Sequence, residues 1–337
     1  MLKVGYFPCT QDPPKGEKIG RVLREAVVEA QAAEQSGFDS CLFSEHHQQM
    51  DGYVPSPLML AGMFGMELER LKIGTCVTLL PLQHPVHVAE DCAVIDQMTE
   101  GRLILGVGVG YQEEDFAPFG VPIGERAKRS EEGIEILRKG WQGEPFSYSG
   151  KHYRLDNILV SPRPFQKNGP PIWMAAWTEP GLKRAARMAD AWLTDPLQSV
   201  GVIKRFADVY RAQASKLGRR PFVALMRDVW VAESTEQARK ESGPLMYTHR
   251  FYFRHNGYVE DEYLKGVRSE EEWTFERAAK DRFIIGSPDD CRGQLQMWQR
   301  EIRPDYLVLR MRHPGGPDHK RVVSAIRLFG EKVLPYL

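Results

Sequence analysis

Apolar residues along the chain alternate between two periodicities. Short runs rich in apolar and β-branched residues are typical of strands buried on both faces. Between them, apolar residues recur three and four positions apart, which is typical of helices packed against a sheet. This pattern predicts eight strands, at residues 2–8, 38–44, 71–80, 102–109, 172–176, 191–194, 222–231 and 306–311.

The same pattern predicts a helix after each strand. These helices cover about 19–35, 57–70, 86–99, 125–141, 180–188, 200–217, 235–246 and 288–302, and a last helix ends near residue 334. Strands and helices that alternate without a shift in composition favour a closed (β/α)8 TIM barrel, a single domain over residues 1–337. A doubly wound open sheet is the alternative.

Two segments interrupt the alternation. Residues 145–165 contain several turn-forming residues together with Tyr148 and Tyr153, which predicts a hairpin-type insertion. Residues 249–282 mix aromatic and charged side chains without a clear period. Because a loop this long inside a compact domain is usually functional or mobile, we expect one of these two properties here.

Composition narrows the class of protein. The 337 residues include 45 Lys and Arg and 45 Asp and Glu, so the chain has no excess charge to attract nucleic acid or an anionic membrane. No apolar stretch approaches the roughly 18–20 residues of a membrane span. Five scattered cysteines without C-x-x-C spacing argue against a disulfide framework, and a chain that opens directly on a strand suggests no signal segment. We therefore expect a cytoplasmic protein.

Glu45-His46-His47 follows the second strand directly. In α/β barrels, catalytic groups collect beyond the carboxyl ends of the strands, and imidazole suits proton transfer near neutral pH. A surface loop with two incidental histidines is the alternative. A metal site would need His84 and His87 as further ligands, but no acidic ligand is placed to complete it, so we predict no metal.

Two further strand ends could face a planar ligand. The first is Thr75–Pro81, which could equally be an ordinary buried strand. The second carries Gly106, Gly108 and Gly110, whose missing side chains allow close approach by a flat ligand or by another backbone. Its G-x-G-x-G spacing differs from the dinucleotide fingerprint, which we reject.

The segment Ala175–Pro180 joins the fifth strand to a helix. Small residues, the Thr178 hydroxyl and a helix N-terminus together suit an anion. Alternatively, Thr178 only caps the helix. Glu179 would repel a phosphate, so we expect its side chain to face solvent.

These motifs occur together in an order that resembles the luciferase-like flavin monooxygenase family. The resemblance rests on FSEHH at 43–47, GTCVTLLPLQHPVHVAED at 74–91, DQMTEGRLILGVGVGYQEEDFAPFG at 96–120, IGSPDDC at 285–291 and LFGEKVLPYL at 328–337. It implies a (β/α)8 barrel that holds reduced flavin in its C-terminal mouth. It also implies that the stretch 249–282 is a mobile lid, which could exclude water from the site.

The resemblance also implies roles for individual residues. His46 matches the catalytic histidine, a non-prolyl cis peptide between Cys76 and Val77 lies beneath the flavin ring, and Glu90 matches a buried acid near that turn. The positions thus assigned to the cofactor are Cys76, Val77, Thr78, Glu90, Gly108, Gly110, Tyr111, Ala176, Trp177 and Thr178.

The sequence departs from the family pattern at Gly108 and Val109, where the luciferase has a reactive cysteine and a phosphate-binding arginine. Luminescence with long-chain aldehydes is therefore not implied. The phosphate would instead meet backbone N–H groups and Thr178, or an arginine that the sequence does not locate.

The resemblance implies a two-component monooxygenase. A separate flavin reductase would supply reduced FMN, and one oxygen atom of O2 would pass to a small, apolar organic substrate, with His46 assisting proton transfer. The alternatives are a deazaflavin-dependent hydride transferase and a non-catalytic flavin-binding paralogue or silent subunit. A homodimer is also expected.

Overall fold

The computed structural model describes residues 2–259 and 261–337, and its parallel strands close into a barrel. In chain order the strands are β1 (Lys3–Phe7), β2 (Ser40–Phe43), β3 (Lys72–Thr75), β4 (Thr78–Leu79), β5 (Leu103–Gly108), β6 (Phe146–Ser149), β7 (Arg154–Ile158), β8 (Ile172–Ala175), β9 (Ala191–Leu193), β10 (Val223–Val231), β11 (Ile284–Gly286) and β12 (Tyr306–Arg310). The barrel runs β1-β2-β3-β5-β8-β9-β10-β12, and β12 pairs with β1. The predicted (β/α)8 barrel is confirmed, because β10 pairs with both β9 and β12 and leaves no open edge.

Helices cover the outside of this barrel. In chain order they are α1 (Ile19–Gln35), α2 (Pro57–Glu67), α3 (Pro85–Met98), α4 (Glu113–Phe116), α5 (Arg126–Gly140), α6 (Glu179–Met188), α7 (Val200–Lys216), α8 (Thr235–Glu241), α9 (Leu245–Arg254), α10 (Phe275–Ala279), α11 (Pro288–Ile302) and α12 (His319–Lys332). None of the helices in the described part of the chain is long and apolar enough to cross a membrane.

The predicted strand 71–80 is divided in the structure. β3 ends at Thr75, the peptide between Cys76 and Val77 is cis, and β4 resumes at Thr78. Both halves pair with β5. The break therefore lies at the carboxyl end of the barrel, where the resemblance had placed it.

Glycines allow β3 and β5 to approach closely. A Cβ atom at Gly106 would lie 2.0 Å from the Thr75 carbonyl oxygen, and one at Gly74 would lie 2.0 Å from the Ile104 carbonyl oxygen. A Cβ at Gly108 would lie 2.5 Å from the Val77 side chain. The sequence left two explanations for these glycines, close approach by a flat ligand or by another backbone. The structure shows that neighbouring protein atoms occupy the space.

Residues 146–158 form an antiparallel pair of strands, β6 and β7, on the outside of the barrel. Its turn is fixed by the buried Glu132 of α5, whose carboxylate accepts backbone N–H groups of Lys151 and His152 at 2.9 Å each. The insertion is thereby attached to α5 and lies away from the carboxyl ends of β2 and β3.

The segment 249–282 is not the single irregular loop that the sequence suggested. It begins inside α9 and also contains α10. Aromatic residues at helical spacing pack α9 against the end of the barrel. The structure also adds β11, which pairs with β10 and which the periodicity did not predict. Glu260 lies outside the described residues, and the mobility of this segment stays a prediction.

Candidate active site

A mostly apolar cavity opens at the carboxyl end of the barrel. Its empty space amounts to about 1120 Å³, including the opening to solvent. Residues that follow nearly every barrel strand contribute to its wall, as expected for this fold. The lining includes His46, Cys76, Val77, Gly108, Gly110, Tyr111, Ala176, Trp177 and Thr178 from the predicted site.

His46 is buried in this wall and has a carboxylate partner. Its Nδ1 lies 3.0 Å from Oδ2 of Asp115, a fully buried residue of α4. Oδ1 of Asp115 accepts the backbone N–H of His47 at 2.7 Å. The Gln112 amide nitrogen also lies 3.2 Å from Nδ1, but the shorter contact to a carboxylate, which only accepts hydrogen bonds, favours the tautomer with the proton on Nδ1 and the lone pair on Nε2. This arrangement is typical of a histidine that takes up a proton during a reaction.

The buried acid beside the cis peptide is Glu45. Its Oε2 accepts the backbone N–H of Leu79 at 3.0 Å, and its Oε1 lies 2.9 Å from Nε2 of His47. His47 therefore packs behind the wall, while His46 faces the cavity. This carboxylate joins the ends of β2 and β4 and fixes the shape of the wall.

Two residues predicted to contact the cofactor, Thr78 and Glu90, do not line the cavity. Glu90 is only half-buried and does not line the cavity, because α3 turns Val88, Ala89 and Cys92 toward the barrel instead. Thr78 is buried but also lies outside the lining, since neighbouring strand residues point to opposite sides and Val77 faces the cavity.

Cys76 lines the cavity as a neutral thiol. Burial raises the pKa of Cys76 to about 12, and its Sγ lies 3.9 Å from Sδ of Met226. Since the thiolate is the reactive form of cysteine, this side chain is unsuited to nucleophilic chemistry at neutral pH. Cys76 contributes apolar surface and its backbone.

The start of α6 and the start of α5 form a cationic corner of the cavity. Thr178 Oγ1 accepts the backbone N–H of Gly181 at 3.3 Å, so this residue caps α6 and also lines the cavity. Arg126 and Arg184 line the same cavity. Glu179 is exposed and pairs with a lysine of its own helix, as expected from the sequence.

Ion pairing holds one of these arginines in place. Arg184 Nε donates to Oε1 of Glu131 at 2.9 Å, and Arg126 Nη1 donates to the Ile123 carbonyl at 2.7 Å. Burial alone would raise the pKa of Glu131, but the hydrogen bonds and the charges of Arg184 and Arg187 lower it. Sequence analysis missed Asp115, Arg126 and Arg184. Asp115 lies within a family motif, but the arginines carry no local signal.

A second polar cluster joins the cavity to the segment 249–282. Arg310 lines the cavity and donates to both carboxylate oxygens of Asp228, at 2.6 and 2.9 Å. His249 Nε2 lies 2.6 Å from Oδ2 of Asp228, and His249 also contacts the Tyr258 hydroxyl. Burial alone would raise the pKa of Asp228, but the charge of Arg310 holds this pKa well below its usual range.

The histidines weighed as metal ligands lie elsewhere. His84 is exposed and packs edge-on against Tyr153, while His87 lies 3.4 Å from the Asp91 carboxylate on α3. Within residues 2–259 and 261–337, no three His, Cys, Asp or Glu side chains are grouped to hold a metal ion.

Comparison with known proteins agrees with this geometry. A family model described as "Luciferase-like monooxygenase" matches residues 2–302. The chain is 28% identical to an F420-dependent glucose-6-phosphate dehydrogenase of Nakamurella multipartita over 91% of each chain. It is 29% identical to the alkanal monooxygenase alpha chain of the Kryptophanaron alfredi symbiont over 57% of this chain and 55% of the other.

A solved structure shares the fold. It is the oxygenating constituent of 3,6-diketocamphane monooxygenase from Pseudomonas putida, a type II Baeyer–Villiger monooxygenase in complex with FMN. It superposes with a TM-score of 0.84 and 21% identity, over 99% of this chain and 98% of that one.

Acid should destabilise the protein through His313, a buried neighbour of Asp228. Burial lowers the pKa of His313 to about 3, from an ordinary value of 6.5. Between these values the unfolded chain binds a proton that the folded chain does not, so the free energy of unfolding falls as the pH falls. We expect a loss of about 1–2 kcal/mol between about pH 7 and about pH 5, measured by urea unfolding.

The His313→Phe variant provides the control, because it keeps a ring of similar size without a titrating group. Its free energy of unfolding should fall less steeply over the same pH range. The contribution of Asp228 does not interfere there, since it is lost only below about pH 3.9. Equal slopes in both proteins would contradict the assignment to His313.

Proposed function

The chain belongs to the luciferase-like monooxygenase family, and we propose that within it the protein is an FMN-dependent monooxygenase acting on a small, apolar organic substrate. The observation that carries this proposal is the single cavity that contains both the His46–Asp115 pair and the cationic corner. We further propose that a separate flavin reductase supplies reduced FMN and that the protein acts in the cytoplasm. The glycines at 106, 108 and 110 do not have the spacing of the dinucleotide fingerprint, which supports a separate reductase that binds the nicotinamide cofactor. The free cysteines support the cytoplasmic location.

The residues present fit a flavin mononucleotide. Arg126, Arg184 and the capped N-terminus of α6 at Thr178 offer charge and N–H donors to a phosphate. The Cys76–Val77 peptide offers a flat backbone surface to the ring system. A terminal phosphate carries nearly two negative charges, which Arg126 and Arg184 are suited to bind.

When bound, reduced flavin supplies the electrons that activate O2 for transfer of one oxygen atom to the substrate. His46 Nε2 takes or returns a proton on the substrate side of the cavity, and Asp115 stabilises the imidazolium that forms. Tyr252, Phe7 and Met226 give this side an apolar wall that excludes water. The apolar wall is also the reason to expect an apolar substrate.

The cofactor is tested by anaerobic fluorescence titration with reduced FMN, reduced F420 and reduced riboflavin. We expect FMN to bind most tightly. The Arg126→Gln variant should weaken FMN binding by about 10- to 100-fold, the range of a charged hydrogen bond. Riboflavin, which lacks the phosphate, should bind both proteins equally.

The Arg187→Gln variant is the matched control. This variant removes the same charge from the same region of the protein. Arg187 pairs with Glu131, as Arg184 does, but it is exposed and does not line the cavity. Its affinity for FMN should equal that of the native protein. Tighter binding of F420 than of FMN would instead favour the deazaflavin-dependent hydride transferase.

Replacing His46 by Ala should lower turnover far more than flavin affinity. We expect kcat to fall about 10²-fold or more, the usual contribution of a general acid or base, with the dissociation constant of reduced FMN within about twofold. The measurement is product formation from a panel of cyclic ketones and aliphatic aldehydes, with NADH and a flavin reductase. His47→Gln, which changes the histidine behind the wall, should retain turnover. Equal turnover by His46→Ala would remove His46 from the catalytic role.

We also propose that the protein forms a homodimer through α2 and α3, which pack side by side. Both helices carry exposed apolar side chains, and a concentration of exposed apolar surface is typical of an interface. They are Met59, Met63, Met66, Val94 and Met98.

The oligomeric state is measured by light scattering after size-exclusion chromatography. The native protein should elute as a dimer, and the double variant Met63→Lys, Met98→Lys should elute as a monomer because it buries two charges in the interface. Met50→Lys changes an equally exposed methionine outside these helices and should stay dimeric. A monomeric native protein would refute the interface.

A further inference from the structure

The cavity wall opposite His46 carries a carboxyl group that the proposed mechanism does not use. Asp195 follows β9, which lies across the barrel from β2 in the strand order, and it lines the cavity. Although the residue as a whole is half-buried, its Oδ2 atom is buried. Two titratable groups therefore face each other across the space that a ligand would occupy.

Hydrogen-bond accounting leaves one oxygen of this carboxyl group without a partner. Oδ1 accepts the backbone N–H groups of Leu197 at 2.8 Å and Gln198 at 3.1 Å. Among the described residues, no group bonds to Oδ2. A buried polar atom without a partner is costly, so the site gains free energy when a ligand supplies one.

The cations near Asp195 donate to groups other than its carboxyl oxygens, and the Nε of Arg227 has no partner among the described residues. Arg227 of β10 donates to the backbone carbonyls of Asp195, Pro196 and Gln198 at 2.9, 3.3 and 2.8 Å, and not to the carboxyl group. Arg282 bonds to the Leu197 carbonyl and to Asp261.

The remaining neighbours that face this side chain do not supply a pairing cation either. Arg310 is engaged by Asp228. Tyr252 and Tyr258 have hydroxyl groups whose pKa values burial raises, so they are neutral.

A carboxyl group without a paired cation favours its neutral form when it is buried. Burial raises the pKa of Asp195, against the opposing charge of Arg227 and the hydrogen bonds from Leu197 and Gln198. Because Oδ1 already accepts two N–H groups, Oδ2 is the oxygen on which a proton would lie. In its neutral form Asp195 adds an O–H donor to the cavity wall.

We propose that Asp195 binds the ligand as a neutral hydrogen-bond donor, through Oδ2, to an acceptor oxygen of the bound molecule. The unpartnered Oδ2 is independent of any assigned activity, whereas its role with a substrate or a flavin carbonyl rests on the proposed function. The arrangement selects a neutral molecule that bears an oxygen acceptor and disfavours a cationic amine of the same shape. An ionised carboxylate would have the reverse preference.

Infrared difference spectroscopy tests the donor directly. The native protein minus Asp195→Asn should show the C=O stretch of a protonated carboxylic acid, and this band should move when cyclohexanone is added. Asp208→Asn, which changes an exposed aspartate of α7, should leave the band unchanged. A band that moves with FMN alone identifies the flavin as the acceptor, and one that moves only with cyclohexanone identifies the substrate side. Absence of the band, or a band that neither ligand moves, overturns the proposal.

Three ring compounds of similar size test the selectivity: cyclohexanone, cyclohexylammonium and methylcyclohexane. Cyclohexanone should bind the native protein about tenfold more tightly than methylcyclohexane, the effect of one hydrogen bond, and cyclohexylammonium should bind less tightly than either. Tighter binding of cyclohexylammonium than of cyclohexanone, lost in Asp195→Asn, overturns the proposal. Failure of FMN to bind would refute the proposed function but would leave both of these measurements intact.

Discussion

The close contact between β3 and β5 determines the form of the cavity. At Gly106 a single added carbon would lie 2.0 Å from the Thr75 carbonyl oxygen, and the Thr75 hydroxyl donates to the Gly106 carbonyl at 2.6 Å. β3 therefore reaches the barrel end beside β5, and the Cys76–Val77 peptide turns into the mouth above Gly108. The flat surface assigned to the flavin depends on side chains that are absent on the neighbouring strand.

Much of the fold could be predicted from the sequence, because hydrophobic periodicity and the glycines and prolines at helix ends are local signals. The helices 19–35 and 288–302 were predicted with the bounds that the structure shows, since glycine and proline mark their ends. The segment 249–282 was mistaken for a loop because its helices are short and packed by aromatic residues. β11, with three residues, was too short for its period to be recognised.

Some residues of the candidate site could be predicted from local signals, and others could not. Residues that directly follow strands, such as His46 and Trp177, could be predicted because the barrel brings all strand ends to one face. Arg126 and Arg184 could not, since only the closed barrel brings α5 and α6 to the same cavity. Glu90 was assigned by resemblance alone, and the sequence did not indicate that α3 turns other side chains toward the barrel.

The buried charges also constrain how the segment 249–282 can open. Near its start, His249 is bonded to Asp228, and Gln198 binds the Gly257 carbonyl and the Val259 N–H at 2.9 Å each. Near its end, the Arg282 guanidinium is buried and bonded to the Leu197 carbonyl. Releasing either end would leave a charge or an amide buried without a partner, which costs several times more than breaking a contact at the surface. These two attachments therefore oppose release of the segment as a whole.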